Sequence, residues 1–345
     1  MIAEINKLPE ISIIIPTLNR REYLEELLEC LMLQKTEEIE ILVSSNASID
    51  GTDEMIAEKK YDIRYFRQEE NIGGVLNIIY LLKHVTGRYV FILADSELLV
   101  QDGIEYVLNI IKKSPEIGVI VTECSKFEID NDGKSNVTPC VYNYYKEDRF
   151  FNRGGEALEL VFKMTSNVSG ILIRTDLLDL KGFEHHFNSR YPQLYLAGKS
   201  VLQADAYHIS YPIVLLREGI VKYWKHQEAF RGQKGFTVRD KDFNCKSILD
   251  IAKDLTSGLE NCLEVYRRIV KYRVRNVYSA LFAAKKESLR SFFRTTKALA
   301  CIPEYCSRWE FWLLVFVIGI LGEKVSLGIV RMIKKRLHLC QSIIK

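Results

Sequence analysis

The first strand-like run of this chain ends in Pro16-Thr-Leu-Asn-Arg20 without a single glycine. A dinucleotide-binding fold needs G-x-G-x-x-G there so that backbone can approach a pyrophosphate, so the absence argues against a dehydrogenase. The eight cysteines (30, 124, 140, 245, 262, 301, 306 and 340) form no C-x-x-C pair, and no histidine stands beside them at metal-ligand spacing. Zinc ribbons and thioredoxin-like motifs are thereby excluded, and the thiols read as reduced core residues of a cytoplasmic protein. Residues Met1 to Glu10 lack the basic segment and apolar run of a signal peptide. There is no internal repeat and no low-complexity stretch.

What is present is enough apolar material for a sizeable core. Of 345 residues, 48% are hydrophobic and 27% charged, a composition that rules out global disorder. The formal net charge of +3 conceals an asymmetry. Residues 261–345 hold 17 Lys and Arg against 5 acids, whereas residues 1–260 hold 31 against 40. A mildly acidic body with a basic tail points to an anionic partner for the tail, nucleic acid or phospholipid.

Along the first 120 residues, short apolar runs alternate with amphipathic stretches. Ile11–Ile15, Glu40–Val43, Ile63–Phe66, Tyr89–Leu93 and Gly118–Val121 read as strands. Between them, Tyr23, Leu24, Leu27, Leu28 and Leu31 recur at helical spacing, as do residues of Val75–His84 and Val107–Lys113. Pro16 reads as the stop of the first strand, and Thr52 as an N-cap. The alternation predicts a mainly parallel sheet flanked by helices, with ligands beyond the carboxyl ends of the strands. Further on, Phe150–Met164 and Tyr191–Ala206 read as helices and Ser169–Arg174 as a strand. Everything from about Lys241 reads as helical. The expected division is an α/β domain at 1–240 and a basic, all-helical appendage at 241–345.

The strand ends carry the chemistry. Ser45-Asn-Ala-Ser-Ile-Asp-Gly-Thr52 is a tight polar turn suited to hydrogen-bonding a base or ribose. Ala94-Asp-Ser-Glu97 sets two carboxylates, Asp95 and Glu97, just after a buried run, where they can hold Mg²⁺ or Mn²⁺ against a diphosphate. Taken in order, Ile13-Ile-Ile-Pro-Thr-Leu-Asn-Arg20, Asn46–Thr52, Asn71-Ile-Gly-Gly74 with Asn77, and Gly87–Glu97 resemble the family 2 glycosyltransferases of the GT-A fold, in particular the abequosyltransferase-like branch.

The resemblance implies a nucleotide-sugar donor held by Pro16, Thr17, Asn19, Ser45, Asn46, Asn71, Gly73, Asn77, Asp95 and Ser96. It also implies a divalent metal, placed here on Asp95 and Glu97. The segment Lys225–Lys234 resembles the basic loop that closes over the diphosphate in such enzymes, with Arg231 its donor contact and Gly232 and Gly235 its hinges. Three positions depart from the family. Ser45 replaces an aspartate that contacts the base, Ser96 replaces the central acid of the metal motif, and Tyr191-Pro-Gln193 supplies no carboxylate where a catalytic base is usual. Glu184, His185 and His186 are then the candidate bases, since histidine titrates near neutral pH.

In the tail, Tyr266–Lys297 interleaves ten Lys and Arg with aromatics and one acid, Glu287. The apolar run Phe311–Gly322 follows, 12 residues long against the roughly 20 that a spanning helix needs. A basic helix beside a short greasy one predicts an interfacial anchor, and no recognition motif for nucleic acid accompanies the charge. The expected protein moves a sugar to a hydroxyl of a saccharide or lipid-linked acceptor in surface polysaccharide synthesis, at the cytoplasmic face of the plasma membrane. The alternative is a catalytically silent, glycosyltransferase-like subunit that binds nucleotide or glycan or scaffolds a partner.

Overall fold

The computed structural model describes residues 8–129, 135–138, 144–164, 167–186, 189, 191–218 and 241–321. The chain divides into two units: one holds residues up to 142, 146–187 and 191–236, and the other holds 143–145, 188–190 and everything from Thr237.

The first unit is a mixed sheet. β1 (Ile11–Thr17) is buried along its length because its apolar residues face helices on both sides. It pairs in parallel with β2 (Ile39–Ser45) and with β4 (Tyr89–Ile92), while β3 (Arg64–Arg67) pairs in parallel with the outer side of β2. The carboxyl ends of β1, β2 and β4 therefore lie on one edge of the sheet. α1 (Arg21–Met32) buries Leu24, Leu27, Leu28 and Leu31, each worth roughly 1.5–3 kcal/mol relative to exposure. α2 (Thr52–Lys59), α3 (Gly74–Leu82) and α4 (Gly103–Lys113) complete the alternation.

Before β4 the chain passes so close to β1 that a Cβ at Gly87 would stand 2.6 Å from Ser12 Oγ and 2.7 Å from Ser12 N. Only glycine fits that approach.

The second half of the sheet departs from a simple parallel order. β6 (Val119–Ile129) is joined to β4 through β9 (Ile171–Arg174), which runs antiparallel to both. β10 (Ala206–Arg217) then pairs parallel to β6, and β5 (Leu98–Leu99) closes the order as an antiparallel edge. β7 (Ser135–Thr138) and β8 (Arg149–Phe151) are short antiparallel additions to β6 and β10. α5 (Gly155–Met164), α6 (Leu180–Phe183) and α7 (Pro192–Ser200) pack around this half.

Several local expectations are revised. β1 continues through Pro16 to Thr17, with Pro16 in register opposite Ser44. The N-cap of α2 is Gly51, in the left-handed region at φ 83°, and Thr52 instead donates its hydroxyl to Asp50 Oδ1 at 2.5 Å. The expected helix Tyr191–Ala206 stops at Ser200, and Ala206 begins a 12-residue strand.

The second unit is helical: α8 (Lys241–Thr256), α9 (Cys262–Asn276), α10 (Tyr278–Glu287), α11 (Leu289–Ala300), α12 (Pro303–Cys306) and α13 (Trp309–Ile320). Leu249, Val274, Leu281, Phe292, Leu299, Phe311 and Ile318 belong to its core. Ser288 caps α11 by accepting from Ser291 N at 3.0 Å. Among the described residues, no helix is long and apolar enough to cross a membrane.

Candidate donor site at the strand ends

The loops after β1, β2, β3 and β4 are tied to one another by side chains. Asn19, itself left-handed at φ 51°, donates its N–H to Ser48 Oγ at 3.0 Å and accepts from Ile49 N at 2.7 Å. Asn and Asp are the residues that tolerate that backbone region and bond locally. The next link is Asn46, whose Nδ2 donates to Asn71 Oδ1 at 2.8 Å while its Oδ1 accepts from Ile72 N at 2.9 Å. Asn71 Oδ1 also accepts from Gly73 N at 3.0 Å, and Gly73 has φ 89°. Asn77 is buried and bonds twice to Ser44, accepting from its hydroxyl at 2.6 Å and donating to its carbonyl at 2.9 Å. Its part is to fix the end of β2. Ser45, fully buried, accepts from Ser48 N at 3.3 Å, which closes the turn expected to meet the base.

At the centre lies Asp95. Leu93 N still bonds Ile14 O at 3.0 Å, so the acidic turn begins where the sheet ends. Asp95 accepts from Thr17 Oγ1 at 2.9 Å through one oxygen and from Arg20 Nη1 at 2.9 Å through the other. The same Nη1 donates to Ser96 Oγ at 3.2 Å. Burial pushes the Asp95 carboxyl above its ordinary range, while Arg20, Thr17 and the Leu18 backbone pull it down. From the far side, the Nε–H of Arg217, at the end of β10, donates to Ser96 O at 3.2 Å, and its guanidinium lies over the rings of Phe127 and Tyr23. Such stacking on two aromatic faces is a role for arginine rather than lysine.

Glu97 is the remaining acid. The residue as a whole is partly exposed, yet its Oε2 is buried with no hydrogen-bond partner among the described residues. Burial raises its carboxyl to about 7; the Ser169 hydroxyl opposes that, and the neighbouring Asp95 charge adds to it. A carboxyl raised above its ordinary 4.5 keeps a proton in the folded state that the unfolded chain has released. Stability then falls as pH rises through the window from about 4.5 to about 7. Glu97→Gln carries no such proton, so its melting temperature should gain on that of the wild type between pH 5 and pH 8. Parallel thermal melts check this, and a constant difference across the range would refute it.

Among the described residues, no three His, Cys, Asp or Glu side chains gather as a metal cage. One or two carboxylates completed by donor phosphates are nevertheless an ordinary Mg²⁺ environment. The buried, unsatisfied Oε2 of Glu97, two residues from Asp95, is the oxygen that fits such an ion. On Asp95, both oxygens already have partners within 2.9 Å.

Beside this turn, Ser169 Oγ accepts from Ala94 N at 3.0 Å, which places the lead-in to β9 at the same edge as Asp95. Gln193 opens α7 there, buried, with Nε2 donating to Asn167 O at 3.5 Å and its Oε1 without a partner among the described residues. Glu184, His185 and His186 form a 3₁₀ turn, the first two exposed and His186 tilted against the ring of Tyr195 of α7, with centroids 4.9 Å apart. Arg231, with the whole Lys225–Lys234 loop, lies outside the described residues. Arg20, Arg217, Ser169 and Gln193 were not anticipated as site residues. Arg20 had a signal, as the last residue of the first motif; Arg217 and Ser169 had none in their own segments.

The glycosyl transferase family 2 model matches residues 12–195, more than half of the chain, and covers the four joined loops together with α7 as far as Tyr195. The chain belongs to glycosyl transferase family 2, and it is a glycosyltransferase by that membership. It is 28% identical over 273 residues to abequosyltransferase RfbV of Salmonella typhimurium, which covers 73% of this chain and 79% of that protein. An uncharacterized glycosyltransferase of Rickettsia typhi, RT0329, is 33% identical over 114 residues, a third of this chain and 35% of the other. In fold the chain is similar to S. aureus TarS 1-349 in complex with UDP-GlcNAc, with a TM-score of 0.61 at 13% identity over 90% of each chain. It is also similar to the mannosyltransferase PcManGT from Pyrobaculum calidifontis in complex with GDP-Man and Mn²⁺, with a TM-score of 0.50 at 16% identity over 91% and 87%. The sheet with its flanking helices is thus of GT-A type.

Proposed function

We propose that the protein transfers a sugar from a nucleoside-diphosphate donor to a hydroxyl of a saccharide or lipid-linked acceptor, in the assembly of a bacterial surface polysaccharide at the cytoplasmic face of the membrane. The observation that carries the reading is the convergence of Thr17, Arg20 and Asp95 from two parallel strand ends, beside the interlocked Asn46–Asn71–Gly73 turn. The nucleotide sugars bound to the two structural neighbours, UDP-GlcNAc and GDP-Man, and the abequosyl transfer of the sequence relative support the same class of donor.

In this reading the turn at Ser45–Ser48 and the loop at Asn71–Gly73 hold the nucleoside. Arg20 places a fixed positive charge where the diphosphate arrives, and Arg231 adds another from its loop. Asp95 and Glu97 would hold Mg²⁺ or Mn²⁺, whose charge would stabilise the departing diphosphate. Gln193 orients the acceptor, and a group among Glu184, His185 and His186 takes the proton of its hydroxyl.

The silent-subunit alternative has one observation in its favour: Arg20 and Thr17 already satisfy both oxygens of Asp95. A thermal-shift panel with UDP, GDP and CDP, each with and without Mn²⁺, together with hydrolysis of the matching nucleotide sugars, separates the two. The enzyme raises its melting temperature with one nucleoside diphosphate, more so with metal, and hydrolyses that sugar donor slowly. Nucleotide binding without hydrolysis, or no response to any nucleotide in either condition, assigns the silent subunit.

A further inference from the structure

Helix α13 is apolar around nearly its whole circumference, and its two faces differ in surroundings. Phe311, Leu314 and Ile318 point into the core of the helical unit. Trp309, Trp312, Phe316 and Ile320 are 62%, 46%, 61% and 66% exposed. Their spacings of three, four and four residues keep them in one stripe along the helix. Scattered exposed apolar residues are ordinary on a monomer; an aligned row of four in a 12-residue helix marks an interaction surface.

Helix α11 has the same division, with charge added. Phe292 and Leu299 are buried, while Leu289 and Phe293 are 60% and 65% exposed. Arg290, Arg294 and Lys297 are exposed on that same side, at the spacing of successive turns. The two helices meet at Gly319, where a Cβ would stand 3.2 Å from Phe292 Cε1. The residues next in sequence to this contact include the exposed Phe293 and Ile320. Lys285 Nζ donates to the carbonyls of Gly319 at 3.0 Å and Leu321 at 2.9 Å, which satisfies the end of α13.

The acids of this region are engaged internally. Glu287 accepts from Ser291 Oγ at 2.8 Å, Glu304 accepts from the Tyr266 hydroxyl at 2.8 Å, and Glu310 is buried facing Arg275 at 4.0 Å. The outer face is therefore apolar and cationic with no competing carboxylate on α11 itself.

We propose that the outer faces of α11 and α13 form a docking surface for an anionic lipid bilayer. Trp312, Phe316 and Ile320 enter the boundary between headgroups and acyl chains, and Arg290, Arg294 and Lys297 meet the headgroup phosphates. α13 spans about 18 Å against a hydrocarbon core of about 30 Å, so it lies along the surface rather than across it. Lipid fits better than a second copy of the chain because three like charges facing their own image repel, whereas anionic headgroups complement them. Indole rings with adjacent guanidinium groups match the chemistry of the bilayer interface. The inference deepens the membrane-proximal acceptor reading and rests on it for purpose: docking would keep a lipid-linked acceptor within reach.

The test is co-sedimentation of the full chain, without nucleotide, with vesicles of phosphatidylethanolamine plus phosphatidylglycerol and with vesicles of phosphatidylcholine alone. Wild type should bind the first more tightly, and high salt should weaken binding without abolishing it, because the apolar stripe is not screened. A variant carrying Arg290→Gln, Arg294→Gln and Lys297→Gln should lose about 100-fold in affinity for the anionic vesicles. Phe316→Ser with Ile320→Ser should lose binding to both, with its melting temperature and its response to nucleoside diphosphate unchanged. The proposal is overturned if wild type binds neither vesicle, if both variants bind like wild type, or if the serine variant only converts a dimer to a monomer. Nucleotide response is read separately, so a failure here leaves the donor-site reading standing, and the reverse also holds.

Discussion

Asp95→Asn should remove the metal-dependent part of stabilisation by nucleoside diphosphate and lower turnover by about 10²–10³, the usual cost of losing one preorganised charge-stabilising group. The substitution is nearly isosteric, and Thr17 can still donate to the amide oxygen in place of the carboxylate oxygen it meets at 2.9 Å. What is lost is the negative charge. Arg20, one-fifth exposed, then has no carboxylate opposite it, and a cation beside Glu97 loses its second anionic neighbour. Ser96→Asp tests the same logic in the other direction. Ser96 is buried and already within 3.2 Å of Arg20 Nη1, so a carboxylate there receives a ready counter-charge and restores an acid to the centre of the motif. Metal-dependent stabilisation should strengthen in that variant. Thermal shifts with nucleotide, with and without Mn²⁺, check both. Unchanged metal dependence in Asp95→Asn would remove Asp95 from the donor site.

The parts of this site that were legible from residues alone are those in which a run of buried apolar positions stops at a polar cluster. β1, β2 and β4 are such runs, and Thr17, Asn46 and Asp95 stand where they stop. β10 was not legible. Pro212 interrupts its run, and proline within a run argues against a strand. In the structure the pairing with β6 shifts register on either side of Pro212, and that irregularity accommodates it. The partner strand was equally obscure past its first turn of sequence. Thr122, Glu123 and Ser125 are polar yet buried in β6, so only Gly118–Val121 reads as a strand from sequence. Because Arg217 closes β10, missing that strand also meant missing the arginine that holds the carbonyl of Ser96. Arg20 closes the first motif, but its bond to a partner 75 residues away is not encoded in that motif.

Alanine at His186, and at Glu184 and His185 in turn, should locate the acceptor-side base. Loss of the residue that takes the acceptor proton should cut turnover by about 10²–10⁴ while leaving donor-induced stabilisation unchanged. The structure separates the three. Glu184 and His185 are exposed, whereas His186 is half-buried on Tyr195, a side chain two residues beyond Gln193 on α7. His186 is the member held in a fixed position, against the helix that also carries Gln193, and its alanine variant should show the largest fall. Gln193→Ala should instead raise the acceptor KM, because an amide orients a hydroxyl but does not take its proton. Wild-type turnover in all three alanine variants would place the base elsewhere. Asp205 would be a poor successor: it precedes β10, which runs parallel to β6 and so starts at the opposite edge of the sheet, where its carboxylate accepts from Arg153 N at 2.7 Å. Glu97 would be the better one, since its enclosed carboxyl at the correct edge sits close to neutral, with one oxygen still unsatisfied.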